Sequence, residues 1–251
     1  MKYENYQRNH VIVKGREEEL EKFLDATMKG TGIKHKRKHS TSSNSEDALT
    51  WSCFDILRSQ SQEKVKQALN EILEDAFDNN KPFDSNNEQN IKIEIGKEYF
   101  SLTTKEETEV DASIETDDKL IFFEAKLYSS MSLKKGKQPY DQIANKLRVG
   151  LDYARKEQKL FYFIFLDIAP LEKLSLHKSK KEAENKGSSF ADKWKSAWWF
   201  KYYRDGRNNS IKPLRKILKG IANEEELNQV RQNMGWLTWA SLFKTTLRAV
   251  I

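Results

Sequence analysis

Hydrophobic positions recur along this chain with two periods, and the change from one to the other outlines its elements. From Gly15 to Met28, Leu20, Phe23, Leu24 and Met28 share one helical face, with Glu17, Glu18 and Glu19 in the first turns, where the helix dipole favours acids. In SNSEDALTWSCFDILRS, Leu49, Cys53, Ile56 and Leu57 again lie on one face. Ser61 to Phe77 repeats the pattern through Val65, Leu69, Ile72, Leu73, Ala76 and Phe77, and Asn79, Asn80 and Pro82 end it. The period then becomes two. Ile91, Ile93 and Ile95 alternate with Lys92 and Glu94, and Gly96 turns the chain into Glu98 to Leu102. Val110, Ala112 and Ile114 alternate with Glu109, Asp111, Ser113 and Glu115, and Thr116, Asp117 and Asp118 supply a turn. Lys119 to Leu127 then runs apolar through Leu120, Ile121, Phe122 and Phe123, as a central strand covered on both faces should.

Beyond this hairpin, SSMSLKKGKQP reads as a basic loop, and Pro139 to Lys156 as a helix with Ile143, Leu147, Leu151 and Ala154 toward the core. Lys159 to Ile168, KLFYFIFLDI, is an almost unbroken apolar strand. Strand, helix and strand in succession imply a right-handed crossover, so this strand should lie parallel to the one carrying Phe122. Trp194, Ala197, Trp198 and Tyr202 fall at helical spacing among Lys193, Lys195, Lys201, Arg204 and Arg207. A core-facing aromatic stripe is the favoured reading, with a cationic flank free to touch nucleic acid. Asn223 and Glu226 form a capping box, Gly235 breaks that helix, and Trp236 to Val250 reads as a closing amphipathic helix. The basic, then serine-rich KHKRKHSTSSNS reads as a mobile loop.

At 251 residues the chain is expected to form one α/β domain, with a core over about 43–168 and a helical extension over about 188–251. A third of the residues are charged and the formal net charge is +6, which suits an anionic partner. The single cysteine, Cys53, sits inside a helical pattern and reads as a buried small apolar residue. No apolar run reaches membrane-spanning length, and MKYENYQRNH is not a signal peptide, so a cytoplasmic location is expected.

The chemistry concentrates at the end of the apolar strand. Glu124 and Lys126 are separated by one position, so both side chains leave the same face. Burying them costs several kcal/mol unless each finds a partner or a metal. Asp111 on the neighbouring arm completes a hard-oxygen set with Glu124 and the Ala125 carbonyl, suited to a magnesium-sized cation, with Lys126 beside it. Val110-Asp111, twelve intervening residues, then Glu124-Ala125-Lys126 resembles the signature of the PD-(D/E)xK nuclease superfamily, with Val110 in place of its proline. The order helix, three strands, helix, strand between about Ser43 and Ile168 is that of the restriction-endonuclease-like αβββαβ core. The resemblance implies a central mixed sheet flanked by helices, with N- and C-terminal helical additions.

The same resemblance implies a Mg²⁺-dependent nuclease, with Mn²⁺ able to substitute, that hydrolyses phosphodiester bonds. DNA is the preferred substrate, cleavage is endonucleolytic, and the setting is restriction or phage defence. Asp111, Glu124 and the carbonyl of Ala125 would hold the metal, and Lys126 would orient the attacking water. Glu46 closes a Ser43-x-x-Glu46 capping box or completes the metal set as the glutamate of the superfamily's first helix, and both readings stand. Gln142 resembles the glutamine that several branches carry on the helix after the Glu-x-Lys strand. Lys146 stands where one branch has a tyrosine. Lys134, Lys135, Lys137 and Lys146 would contact the nucleic acid. A homodimer or a place in a larger complex is open. A non-cleaving nucleic-acid-binding or scaffolding module on the same fold is the alternative.

Overall fold

A computed structural model of the chain describes residues 10, 13–26, 35–40, 45–127, 129, 131–134, 140–168, 170, 195–206 and 209–251. Its first helices are α1 (Glu17–Asp25), α2 (His35–Ser40), α3 (Glu46–Arg58) and α4 (Gln62–Ala76). Ser45 caps α3 by accepting from the Ala48 amide, and Ser61 caps α4 by accepting from the Lys64 amide. Ser43 lies outside the described residues. A short helix, α2, stands where a mobile loop was expected. Lys36 reaches Glu109 at 2.5 Å, and Arg37 reaches Glu21 and Asp25 at 2.5 and 2.6 Å, so partners distant in sequence hold the basic run in place.

The strands are β1 (Lys92–Ile95), β2 (Glu98–Phe100), β3 (Glu107–Glu109), β4 (Ala112–Glu115) and β5 (Lys119–Ala125). After them come β6 (Leu133–Lys134), β7 (Tyr140–Asp141), α5 (Gln142–Lys156) and β8 (Leu160–Asp167). The chain closes with α6 (Lys195–Arg204), α7 (Lys212–Ile217), α8 (Glu224–Gln232), β9 (Met234–Thr238) and α9 (Trp239–Val250). Among the described residues, five strands form one mixed sheet in the order β1-β4-β5-β8-β9. β1, β4 and β5 are successively antiparallel, with Ile93 opposite Ile114 and Ile114 opposite Ile121. β8 is parallel to β5, with Glu124 opposite Phe165, as the crossover through α5 requires.

Alternation along β5 separates two cores. Leu120 and Phe122 join Ile143 and Leu147 of α5, Phe163 and Phe165 of β8, and Trp199 and Phe200 of α6. Ile121, Phe123 and Ala125 face Phe54, Leu69, Ile72, Tyr162, Ile164 and Leu242 on the other side. Every residue of β5 is buried, which is why its sequence reads as a continuous apolar run.

Four expectations shift. The expected first arm of the hairpin is divided: Glu107–Glu109 pairs with β2 in a separate ribbon, and only Ala112–Glu115 pairs with β5, with Asp111 in the bend between them. The helix expected from Pro139 starts at Gln142, because the Asp141 side chain accepts from the Ala144 amide and caps it there. The closing segment is not all helix. Met234 to Thr238 is a fifth strand parallel to β8, and the helix begins at Trp239. Gly235 is a strand residue under tight contact, since a Cβ there would sit 2.9 Å from the Phe77 ring and 3.1 Å from the Ala76 carbonyl oxygen. In α6, Trp199, Phe200 and Tyr203 are buried, while Trp198 and Tyr202 pack at their edge, so the core-facing stripe runs one residue later than the expected one. Trp194 is outside the described residues. No helix among the described residues is long and apolar enough to cross a membrane.

Candidate active site

Glu124 and Lys126 emerge at the end of β5 on the face covered by α5. The ladder continues one residue past the strand, because the Lys126 amide donates to the Leu166 carbonyl at 2.7 Å. The Lys126 carbonyl in turn accepts from the Trp239 indole at 3.0 Å. Asp111 reaches across from the bend before β4, and its Oδ2 accepts from the Ala125 amide at 2.7 Å. These bonds place Asp111 and Lys126 against the same peptide, Ala125, which follows Glu124 in the strand and whose carbonyl lies 3.1 Å from Lys126 Nζ.

Glu124 is 0% exposed and Lys126 6%. Lys126 Nζ lies 2.7 Å from Glu124 Oε1. The approach is off-axis, so that oxygen has a charge beside it and no aligned donor. The other oxygen, Oε2, is in direct contact with Lys146 Nζ, which also lies 3.9 Å from Asp111 Oδ2. Lys146, expected on the nucleic-acid-facing surface, is therefore in the cluster itself and only 3% exposed. Its position on the helix face toward the sheet explains this. Gly150, one turn further along α5, would carry a Cβ only 2.3 Å from the Phe161 ring and 2.8 Å from Phe122, so its missing side chain lets the helix lie close to β5. Asp111 is the opening, with its side chain 29% exposed.

The lysines and Glu124 favour one another's charged forms, while the two carboxylates oppose each other. Burial, and then Glu124, push the Asp111 carboxyl up to about 7 against the pull of Lys146 and Lys126. Burial also works to raise Glu124, but Lys126 and Lys146 override it and hold that carboxyl down at about 2. For Lys126, burial opposes the charge, and Glu124, Asp111 and Glu46 outweigh it, keeping the ammonium above the usual lysine range.

The other expected residues are placed differently. Glu46 closes the end of β5 from the first turn of α3. It accepts from the Leu127 amide and from the Ser129 hydroxyl at 2.6 Å, so it braces the segment that leaves the strand. Gln142 accepts from the Ser132 amide at 3.1 Å, a contact with the backbone of the segment before β6. Lys135 and Lys137 lie outside the described residues, as does the side chain of Lys134. Trp239 and Ser129 had no local signal in the sequence: each acts through a contact with a distant segment.

Among the described residues, no three histidine, cysteine or acidic side chains gather closely enough to form a metal cluster. The donors at the strand end are instead two carboxylates and a carbonyl. Glu124 Oε1, buried without an aligned donor, and the partly exposed Asp111 fit a hard divalent cation in charge and atom type. Cys53 plays no part here, since it is buried and burial pushes its thiol up to about 12. No family model, curated protein or solved structure matches the chain.

Proposed function

We propose that this protein is a divalent-metal-dependent nuclease of the PD-(D/E)xK type, a DNA endonuclease of restriction or phage-defence character. One observation carries the reading. Asp111 and Lys126 contact the Ala125 peptide and Lys126 pairs with Glu124 at the end of a central strand, in a sheet whose β1, β4 and β5 precede α5 and β8 in the chain. In this reading Asp111, Glu124 and the Ala125 carbonyl hold Mg²⁺ or Mn²⁺. When bound, the ion supplies Lewis-acid polarisation of a phosphoryl oxygen and acidifies a water. Lys126 keeps a fixed positive charge beside the reacting phosphate, where negative charge grows in the transition state. Its backbone is held at both ends by Leu166 and Trp239, so that charge is aimed before substrate arrives. Glu46 and Ser129 hold the outgoing segment. Exposed Lys212, Lys216 and Lys219 recur on one face at and just beyond α7 and offer contacts for a phosphate backbone.

The Lys146–Glu124 contact favours a second reading, a nucleic-acid-binding module whose buried charges are structural. Incubating the purified protein with plasmid, linear duplex, single-stranded DNA and RNA, each with Mg²⁺, Mn²⁺ or EDTA, separates the two. Metal-dependent cleavage that Asp111→Asn and Glu124→Gln each reduce to background is expected. Cleavage that survives EDTA or either substitution overturns the assignment, and binding without cleavage supports the second reading.

A further inference from the structure

The carboxylates at the end of β5 already share a cation. Lys146 Nζ touches Glu124 Oε2 and lies 3.9 Å from Asp111 Oδ2, bridging the two side chains assigned to the metal. Lys126 stands on the other side of Glu124, at Oε1. The two lysines thus have different places: one follows the strand beside the Ala125 carbonyl, and the other comes from α5 into the space between the acids. Lys146 is held there by the close packing of the helix at Gly150. A divalent ion accepted by Asp111 and Glu124 would meet that ammonium at short range, and like charges at such a distance repel strongly in a poorly solvated site.

We propose that Lys146 is a built-in counter-cation that holds Asp111 and Glu124 together in the metal-free protein and is displaced when a divalent metal binds. The inference rests on the metal-dependent reading above. It makes Lys146 a positioning residue, distinct in role from Lys126. Without it, two buried or half-buried carboxylates would face each other with Lys126 as their nearest cation. With it, metal binding is an exchange of one cation for another, so metal affinity is lowered in return for a preformed site.

The test measures binding of Mn²⁺ alone, without nucleic acid, to the EDTA-treated full chain. Free Mn²⁺ is followed by its electron paramagnetic resonance signal, and thermal unfolding is recorded with and without the ion. Lys146→Gln keeps a donor for Glu124 without the charge, Lys146→Met removes both, and Lys146→Arg keeps the charge. The neutral variants are expected to bind Mn²⁺ at least about tenfold more tightly than the unsubstituted protein. They should unfold at lower temperature without metal and show a larger metal-induced rise, while Lys146→Arg stays near the unsubstituted protein in affinity. Measurable but equal affinity across all four proteins overturns the exchange and leaves the metal site standing. Absence of Mn²⁺ binding in every protein overturns the metal reading and the exchange together. If both neutral variants remain unfolded even in Mn²⁺, the ammonium is a structural requirement that metal cannot replace, and the exchange is overturned.

Discussion

Lys126 is held at its two backbone ends as well as through its side chain. Its amide completes the ladder to Leu166, and its carbonyl takes the indole proton of Trp239, 113 residues away in the chain. A buried carbonyl that loses its donor costs about 1–3 kcal/mol. Trp239→Phe keeps an aromatic ring in this place and removes that donor. The urea midpoint should fall by an amount equivalent to about 1–3 kcal/mol, and any cleavage activity should fall further than the loss of folded protein explains, since the peptide bearing Lys126 loses its anchor. Full activity in the folded variant would show that the indole bond does not aim the ammonium. Among the candidate residues, Asp111, Glu124 and Lys126 were legible in the sequence because charges at the end of an apolar strand must be explained. Lys146 was misjudged because its spacing places it on a helix flank, and only the close approach at Gly150 brings that flank against the strand.

Helix α5 carries a second buried carboxyl, at its cap. Asp141 accepts from the Ala144 amide at 3.0 Å and from the Tyr203 hydroxyl at 2.6 Å. Burial pushes this carboxyl up to about 6, with the Tyr203 bond and the amides pulling the other way. That value lies above the unfolded one of about 3.9, so the folded state binds the proton more tightly. Stability from this group is therefore full below about pH 4 and declines as pH rises to about 6, by on the order of 3 kcal/mol. Asp141→Asn keeps an acceptor and removes the titration. Urea midpoints at pH 4, 5, 6 and 7 should show the variant gaining on the unsubstituted protein through that window, and a constant gap would assign the titration elsewhere. The sequence put the start of α5 at Pro139 because proline suits a first turn. The cap at Asp141 wins because its side chain supplies an acceptor to Ala144 and finds Tyr203, a partner in α6 that the sequence order gives no reason to expect.

Across the whole molecule, the segments most visible in the sequence are those whose burial is two-sided and local in pattern: β5 and β8 read as apolar runs, and the crossover rule gave their parallel pairing. β9 was hidden because Gly235 reads as a helix breaker, and the residues from Trp236 read as the first turn of the amphipathic helix that carries Trp239 and Leu242. Pairing with β8 decides it, since an open sheet edge leaves unpaired backbone groups that Met234 to Thr238 can satisfy. The tight contact of Gly235 with Phe77 is the measure of that docking. Gly235→Ala should overpack the seam by about 1–3 kcal/mol and lower the melting temperature by roughly 2–12 °C, checked by calorimetry. An unchanged melting temperature would mean that α4 and β9 separate more easily than their packing suggests.

The anchoring of Lys126 by Trp239 also sets an order in time. At roughly 5–20 residues per second, a ribosome adds the indole about 6–23 s after the lysine it steadies, given the 113 residues between them. Until then the nascent chain carries Asp111, Glu124 and Lys126 without the last of their backbone supports, and without the fifth strand of the sheet. The support of these three charges is thus complete only once Trp239 has been added, long after the charges themselves.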